Sequence, residues 1–375
     1  MVITAILLLL LVSYLILFLF INQYVNSGQT NYVKQFQVDE PIAVVIAMRN
    51  EEDQILDCLH SLYQSAGLSR GLKVYLVDDQ STDASVIRVL SFIKENPHLN
   101  LELLNSNGIG KKRALIHALG RVSEPWCFLT DADCVVQPST IKSLMQTAKR
   151  EDKQVVYGPV SYDKGSFINS LMAYENLNNQ LVGEALLEYG RPAMVNGANT
   201  LLSKSIIEDY IKAQKVEYAS GDDVFFSESL SRDEYAVSYN FESAVVTKSP
   251  ESIVAFFYQR LRWASKYSGY SKLFYRLFPV FIFMQNFLFL IILSFWIFSG
   301  LRIDGILIVL ILKWIIEWSF HSFMLKKYNF KAGFYQSILL SLLQPIHISL
   351  VGLFSLVNLS YKWKDRTVVN QSIVN

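Results

Sequence analysis

Residues 42–62, IAVVIAMRNEEDQILDCLHSL, pass from an unbroken apolar run through a charged turn into a segment of helical spacing. Ile42 to Ala47 reads as a strand covered on both faces. Ile55, Leu59 and Leu62 recur at intervals of four and three with Asp57 and His60 turned outward, which predicts a helix within residues 51–66. The pattern repeats: KVYLV (73–77), LELL (101–104), WCFLT (126–130) and QVVY (154–157) are further strands, separated by helix-like segments. Strands alternating with helices predict a largely parallel sheet, whose ligands bind beyond the carboxyl ends of the strands.

This α/β region, residues 22–250, lies between apolar segments. Residues 1–21, MVITAILLLLLVSYLILFLFI, carry no charge and are long enough at helical rise to cross a hydrocarbon core of about 30 Å. The stretch has no basic amino-terminal region and no small-residue cleavage site, so it reads as an uncleaved anchor rather than a signal peptide. Residues 251–278 mix Phe256, Phe257, Tyr258, Trp263 and Tyr267 with Arg260, Arg262, Lys266 and Lys272, as helices at a headgroup interface do. Within residues 279–359 three apolar stretches follow: 279–299, 303–323 and 334–359. Lys326, Lys327 and Lys331 mark the connection between the last two as cytoplasmic, and with it the catalytic domain. Gln344, Pro345 and His347 interrupt the final stretch. A full crossing puts the basic tail (360–375, with Lys362, Lys364 and Arg366) outside, whereas a re-entrant hairpin broken at Pro345 keeps it inside.

Composition agrees with an integral membrane protein, multi-pass in a plasma or inner membrane. Hydrophobic residues are 51% of the chain, mean hydropathy is +0.26, and charged residues are 18%, below the quarter usual in soluble proteins. With 34 basic and 33 acidic residues there is no global field to attract nucleic acid. Cys58, Cys127 and Cys134 lack the spacing of a zinc site or a disulfide framework and read as buried small hydrophobes.

Polar clusters sit where strands end or helices begin: AMRNEE (47–52), DDQSTD (78–83), DAD (131–133) and GDD (221–223). Two aspartates one residue apart at a strand end can ligate a hard divalent cation, which spreads charge on a leaving diphosphate. Asp-x-Asp alone is more often a turn or cap. A carboxylate at Asp222 or Asp223 can take the proton of an acceptor hydroxyl, and like-charge pairing raises one of the two pKa values. The competing reading is a helix cap. Gln259, Arg262 and Trp263, at spacings of three and four, share a helix face where amide and guanidinium can bind diphosphate oxygens and the indole can stack on a sugar. An interfacial aromatic-basic helix is the alternative.

Taken in order, AMRNEE, VDDQSTD, GKKRAL, DAD, GDD and QRLRW resemble the family 2 inverting glycosyltransferases, in the branch with a Gln-x-x-Arg-Trp motif that includes polysaccharide synthases and ceramide glucosyltransferases. The likeness covers Pro41 to about Trp263. It implies an α/β GT-A fold, Rossmann-like, between N-terminal and C-terminal transmembrane helices. It further implies that Arg49, Glu51 and Asp79 contact the nucleoside, and that Lys111, followed by Ala114 and Leu115, lies against nucleotide or phosphate. Asp131 then lies near ribose and donor sugar, and Asp133 ligates Mg²⁺ or Mn²⁺. Asp223 is the base, Gln259 and Arg262 hold diphosphate, and Trp263 meets the acceptor. The family commonly has Glu-Asp at Asp222-Asp223 and Gly at Gln80. YKWKDR (361–366) resembles a Trp-Lys-Gly-Arg element with Asp365 in place of Gly.

The resemblance implies a nucleotide-diphospho-sugar donor, UDP-linked in most members. A membrane lipid or lipid-linked glycan is the expected acceptor, because few polar residues (Lys313, Glu317, His321, Gln344, His347) lie within the spans to line a channel. A processive polysaccharide synthase is the alternative. An inactive scaffold subunit would be marked by loss of an acidic ligand, and none is lost.

Overall fold

The structure, a computed structural model, describes residues 2–27, 40–64, 71–163, 165–238, 244–299, 303–327, 333–357, 361–369 and 372–374. Of the expectations above, those for Met1, residues 65–66, Lys331 and residues 358–360 fall outside them.

The chain starts with helix α1 (Val2–Ser27) and then alternates: β1 (Ile42–Met48), α2 (Ile55–Gln64), β2 (Leu72–Asp78), α3 (Ser85–Glu95), β3 (Leu101–Asn105), α4 (Lys111–Leu119) and β4 (Trp126–Asp131). A second half follows, with β5 (Cys134–Val135), α5 (Thr140–Glu151), β6 (Val155–Tyr157), β7 (Val160–Tyr162), α6 (Phe167–Glu188), β8 (Thr200–Ser203), α7 (Ile207–Lys212), α8 (Asp222–Ser227), β9 (Tyr235–Val237) and β10 (Val245–Thr247). Seven strands form one sheet in the order β3-β2-β1-β4-β8-β6-β9, with the first four mutually parallel and β8 antiparallel to both neighbours. β1 is apolar throughout because both its faces are covered. Ile42, Val44, Ile46 and Met48 join the core under α2 and α5, while Ala43 and Val45 meet Ala114, Leu115 and Ala118 of α4. Full burial of each large aliphatic side chain contributes about 1.5–3 kcal/mol.

Register positions the site. Met48 pairs with Asp78 and Ala47 with Asp131, so Arg49, Asp79 and Asp131 emerge along one edge. Strand order reverses between β1 and β4, the crevice where open α/β sheets bind ligands. A small sheet, β5-β10-β7, braces the far side of this crevice.

The remaining helices are α9 (Ile253–Ala264), α10 (Leu273–Phe298), α11 (Ile303–Lys327) and α12 (Phe334–Ser355). Among the described residues, Ile6–Val25, Leu273–Phe298 and Phe334–Ser355 are long and apolar enough to cross a membrane. α11 packs on α1 and α12 and carries Lys313 and Glu317, which pair with each other. Lys313 also donates to Ser341 O at 3.0 Å, and Tyr14 donates to Asn286 Oδ1 at 2.7 Å, so these polar side chains find partners on neighbouring helices. The helices do not end where the apolar stretches do. α1 continues six residues past 21, and α10 begins inside the stretch assigned to the interface, at Leu273.

α12 runs unbroken through Pro345, without the break that a hairpin there requires, and Arg366 beyond it reaches Asp79 at the edge of the seven-stranded sheet. There β11 (Tyr361–Trp363), β12 (Arg366–Val369) and β13 (Ser372–Val374) form a three-stranded antiparallel sheet where a plain tail was expected.

Candidate active site

Asp131 ends β4, and Asp133 follows it into the turn before β5. Lys111, the first residue of α4, sits 2.7 Å from Asp131 Oδ1 and 3.3 Å from Asp222 Oδ2, tying two of the acidic clusters together. Burial disfavours the Lys111 ammonium, but the attraction of Asp131 and Asp222 outweighs it and the pKa is raised. Asp222 is the mirror case: burial pushes it up, while Lys111, Lys266 and Lys112 together hold it below the usual carboxylate range. The expectation that pairing lifts one of the two acids is therefore not met at Asp222, because three cations surround it.

Asp222 and Asp223 begin α8, after Gly221 at φ +95°. A side chain at Gly221 would be strained by that backbone, and its Cβ would stand 2.9 Å from the Phe225 ring. Asp223 serves its helix as well as the cavity: Oδ1 accepts from Val224 N at 2.8 Å and Oδ2 from Gly197 N at 3.2 Å, with Lys266 Nζ 3.8 Å from Oδ1. The N-cap position is Gly221, which has no side chain to cap with, so Asp223 is not the helix cap that the competing reading expected.

Asp133 accepts from Thr247 Oγ1 at 3.3 Å and from the Cys134 thiol at 3.5 Å, both neutral donors. Among the described residues no cation pairs with it, and no three His, Cys, Asp or Glu side chains form a ready-made cage. A Mg²⁺ or Mn²⁺ that takes one or two protein carboxylates and fills its shell with phosphate oxygens and water fits this donor set.

Arg49, Glu51 and Asp79 lie together at the ends of β1 and β2. Arg49 Nη1 donates to Asp79 O at 2.9 Å, and Gly110 N to Asp79 Oδ1 at 2.9 Å. Burial lifts the Glu51 carboxyl to about 7, with Lys364 pulling against the shift and Asp133 and Asp131 adding to it. Its Oε2 is buried without a hydrogen-bond partner.

On α9, Gln259, Arg262 and Trp263 share the face that lines a cavity of about 690 Å³. The same cavity is lined by Lys111, Asp131, Asp133, Asp222 and Asp223 at one end and by Phe283, Ile348 and Val351 of α10 and α12 at the other. Arg49, Glu51 and Asp79 lie outside its lining, at the neighbouring strand ends. Gln259 Oε1 accepts from Tyr162 and from Arg260, each at 2.8 Å.

Sequence reasoning missed the supporting residues. Arg260, read as an interfacial cation, is buried in an ion pair with Glu175 in the wall of the same cavity and lies 4.2 Å from the Trp263 ring, so it braces the motif. Glu175 carries no local signal, since it lies 85 residues away on α6. Lys112 is buried and donates to Lys215 O at 2.7 Å, while Ala114 and Leu115 face the core rather than a ligand. The signal available for Arg366 and Lys364 was the YKWKDR resemblance alone: Arg366 meets Asp79 Oδ2 at 2.5 Å and Lys364 meets Glu51 Oε1 at 2.8 Å.

Residues 40–266 match the family model described as glycosyltransferase like family 2. An N-acetylglucosaminyltransferase of Rhizobium meliloti is 21% identical over 235 residues, 60% of this chain and 54% of that protein. A poly-β-1,6-N-acetyl-D-glucosamine synthase of Staphylococcus epidermidis is 23% identical over 239 residues, 61% of this chain and 55% of that protein. The chain spans about half the length of these curated relatives. Among solved structures, the mannosyltransferase PcManGT from Pyrobaculum calidifontis, in complex with GDP-Man and Mn²⁺, has a TM-score of 0.52 at 15% identity, covering 95% of this chain and 99% of that one. That likeness shows a shared GT-A fold. With more than half of its length matched by the family model, the chain belongs to the glycosyltransferase like family 2.

Proposed function

We propose that this glycosyltransferase moves a sugar, with inversion, from a nucleotide-diphospho-sugar to a lipid or lipid-linked glycan at the bilayer, its catalytic domain facing the cytoplasm. Both curated relatives are named for N-acetylglucosamine, which makes UDP-N-acetylglucosamine the first donor to try. Asp223 takes the acceptor proton as its oxygen attacks the anomeric carbon in a single displacement. Lys111, Gln259 and Arg262 draw the diphosphate into line, Asp131 orients the donor sugar, and Trp263 stacks on the acceptor. Asp133 would hold Mg²⁺ or Mn²⁺, which when bound would supply positive charge to the leaving diphosphate.

The observation that carries this reading is the continuity of the cavity from the acidic residues to α10 and α12. At its membrane end the walls are mainly Val280, Ile282, Phe283, Met284, Ile348, Val351 and Leu356, with His347 and Ser355 among them, a largely apolar surface suited to an acyl or polyprenyl chain. A growing glycan would need hydrogen-bonding and stacking groups along that length. The name of the Staphylococcus epidermidis relative favours the second reading, a processive synthase. Ile348→Trp, which fills the apolar end, tests the choice. Transfer to lipid should fall at least tenfold with nucleotide affinity unchanged, and undiminished transfer would remove the cavity from the acceptor path.

A further inference from the structure

The residues assigned to the nucleoside are already engaged by the chain's own C-terminal hairpin. β11 and β12 are joined through Lys364 and Asp365, at φ +47° and +64°. Two successive positive φ values make the tight turn that suits antiparallel strands, but Asn-Gly or Asp-Gly normally fills it. Lys-Asp in that conformation is strained, and contacts with the turns that follow β1 and β2 hold it. Arg49 Nε donates to Lys364 O at 3.0 Å, Asn50 Nδ2 to Asp365 Oδ2 at 2.8 Å, and Lys364 Nζ to Asn50 O at 3.3 Å. Next to the turn, Arg366 reaches the Asp79 carboxylate, donates to Asp79 O at 3.1 Å and to Gln80 Oε1 at 3.1 Å, and is itself buried.

The acceptors filled in this way are the ones a base and ribose need. Asp79 has one carboxylate oxygen on Gly110 N and the other on Arg366, and Glu51 Oε1 is held by Lys364. A nucleoside offers neutral N–H and O–H donors, weaker than the guanidinium and ammonium now in place. Both cannot be bound in the same geometry.

Resting on the assignment of Arg49, Glu51 and Asp79 to the nucleoside, we propose that the hairpin of residues 361–374 is an autoinhibitory strap. Its Lys364–Arg366 tip occupies the nucleoside subsite and must leave before donor binds. Strap release is then a step at which donor affinity is set, and the segment after the last membrane helix controls a site more than 280 residues earlier in the chain.

The test is a reversible lock on the full-length protein in lipid nanodiscs. Asn50→Cys with Asp365→Cys places two thiols where the side chains now hydrogen-bond, and the native Cys58, Cys127 and Cys134 are all buried and free. UDP and GDP are titrated calorimetrically into the oxidised and then the reduced protein. The oxidised form should lose at least tenfold in affinity for whichever nucleotide the reduced form binds, and reductant should restore it. Arg366→Ala, in the native background, should bind that nucleotide several-fold more tightly than wild type. Equal affinity of locked and reduced forms overturns the strap. Asp79→Asn placed on the Arg366→Ala background, where the strap's ion pair to Asp79 is already gone, separates the two claims: if it leaves nucleotide affinity unchanged, the nucleoside assignment fails and the strap with it. If it weakens binding while the lock does nothing, only the strap fails.

Discussion

Lys111 Nζ lies 2.7 Å from Asp131 Oδ1 and 3.3 Å from Asp222 Oδ2, so one ammonium at the start of α4 joins the strand end of the DAD cluster to the helix start of the GDD cluster. Lys111→Met leaves two carboxylates facing each other without that cation. Because Lys111 is the foremost of the cations holding Asp222 down, its removal raises the Asp222 pKa. The titration of the Asp222 carboxyl, followed by infrared difference spectroscopy against Asp222→Asn, should then move to higher pH, and an unmoved titration contradicts the linkage.

Asp133→Asn removes the carboxylate assigned to the cation, and Asp223→Asn the assigned base. Loss of a general base costs about 10² to 10⁴ in rate. Both variants should keep wild-type thermal unfolding, and restoring Mg²⁺ or Mn²⁺ after EDTA should not rescue Asp133→Asn. Wild-type turnover by either would remove that residue from its role.

Glu51 gives a stability prediction whose sign follows from its lifted pKa. The folded state keeps the Glu51 proton up to about pH 7, whereas an unfolded chain releases it in the ordinary carboxylate range. Stability from this group is therefore full at low pH and is lost as pH rises through about 7. A shift of this size corresponds to about 3 kcal/mol at most. Glu51→Gln should accordingly raise the unfolding temperature relative to wild type at pH 8 and not at pH 4, measured in EDTA. The reverse order would show that the carboxylate is stabilised by its surroundings.

Much of the sheet was legible because its signals are local. IAVVIA and KVYLV are apolar without a break, a pattern that burial on two faces produces, and the carboxylates at their ends mark the ligand edge without reference to any distant residue. The aromatic cavity face of α9 was equally local, since three- and four-residue spacing fixes it. What could not be read is held together by pairs far apart in sequence. Arg260 looks like a headgroup cation until Glu175 of α6 is placed beside it. Arg366 looks like part of a basic tail until the hairpin brings it to Asp79. The end of the chain went astray for a related reason. Pro345 suggested a break, but a proline within a long helix can be accommodated by neighbouring helices, and α12 packs along α9 and α10.

That return of the chain has a topological consequence. Thr367, exposed on β12, should lie on the same side of the membrane as the catalytic sheet. With Thr367→Cys in a background lacking the native cysteines, an impermeant thiol reagent added to intact cells should leave the residue unlabelled, and permeabilisation should expose it. Rapid labelling of intact cells would place the tail across the membrane and exclude its contact with Asp79.

We propose transfer of a sugar to an acceptor that enters from the bilayer. Purified full-length protein in lipid, supplied with Mg²⁺ or Mn²⁺ and a panel of radiolabelled nucleotide sugars beginning with UDP-N-acetylglucosamine, tests it most directly through the partition of the product. Radioactivity should appear in the organic phase, in a discrete glycolipid carrying one or a few sugars, and should be absent with Asp223→Asn. High-molecular-weight aqueous glycan made without a lipid primer would contradict it.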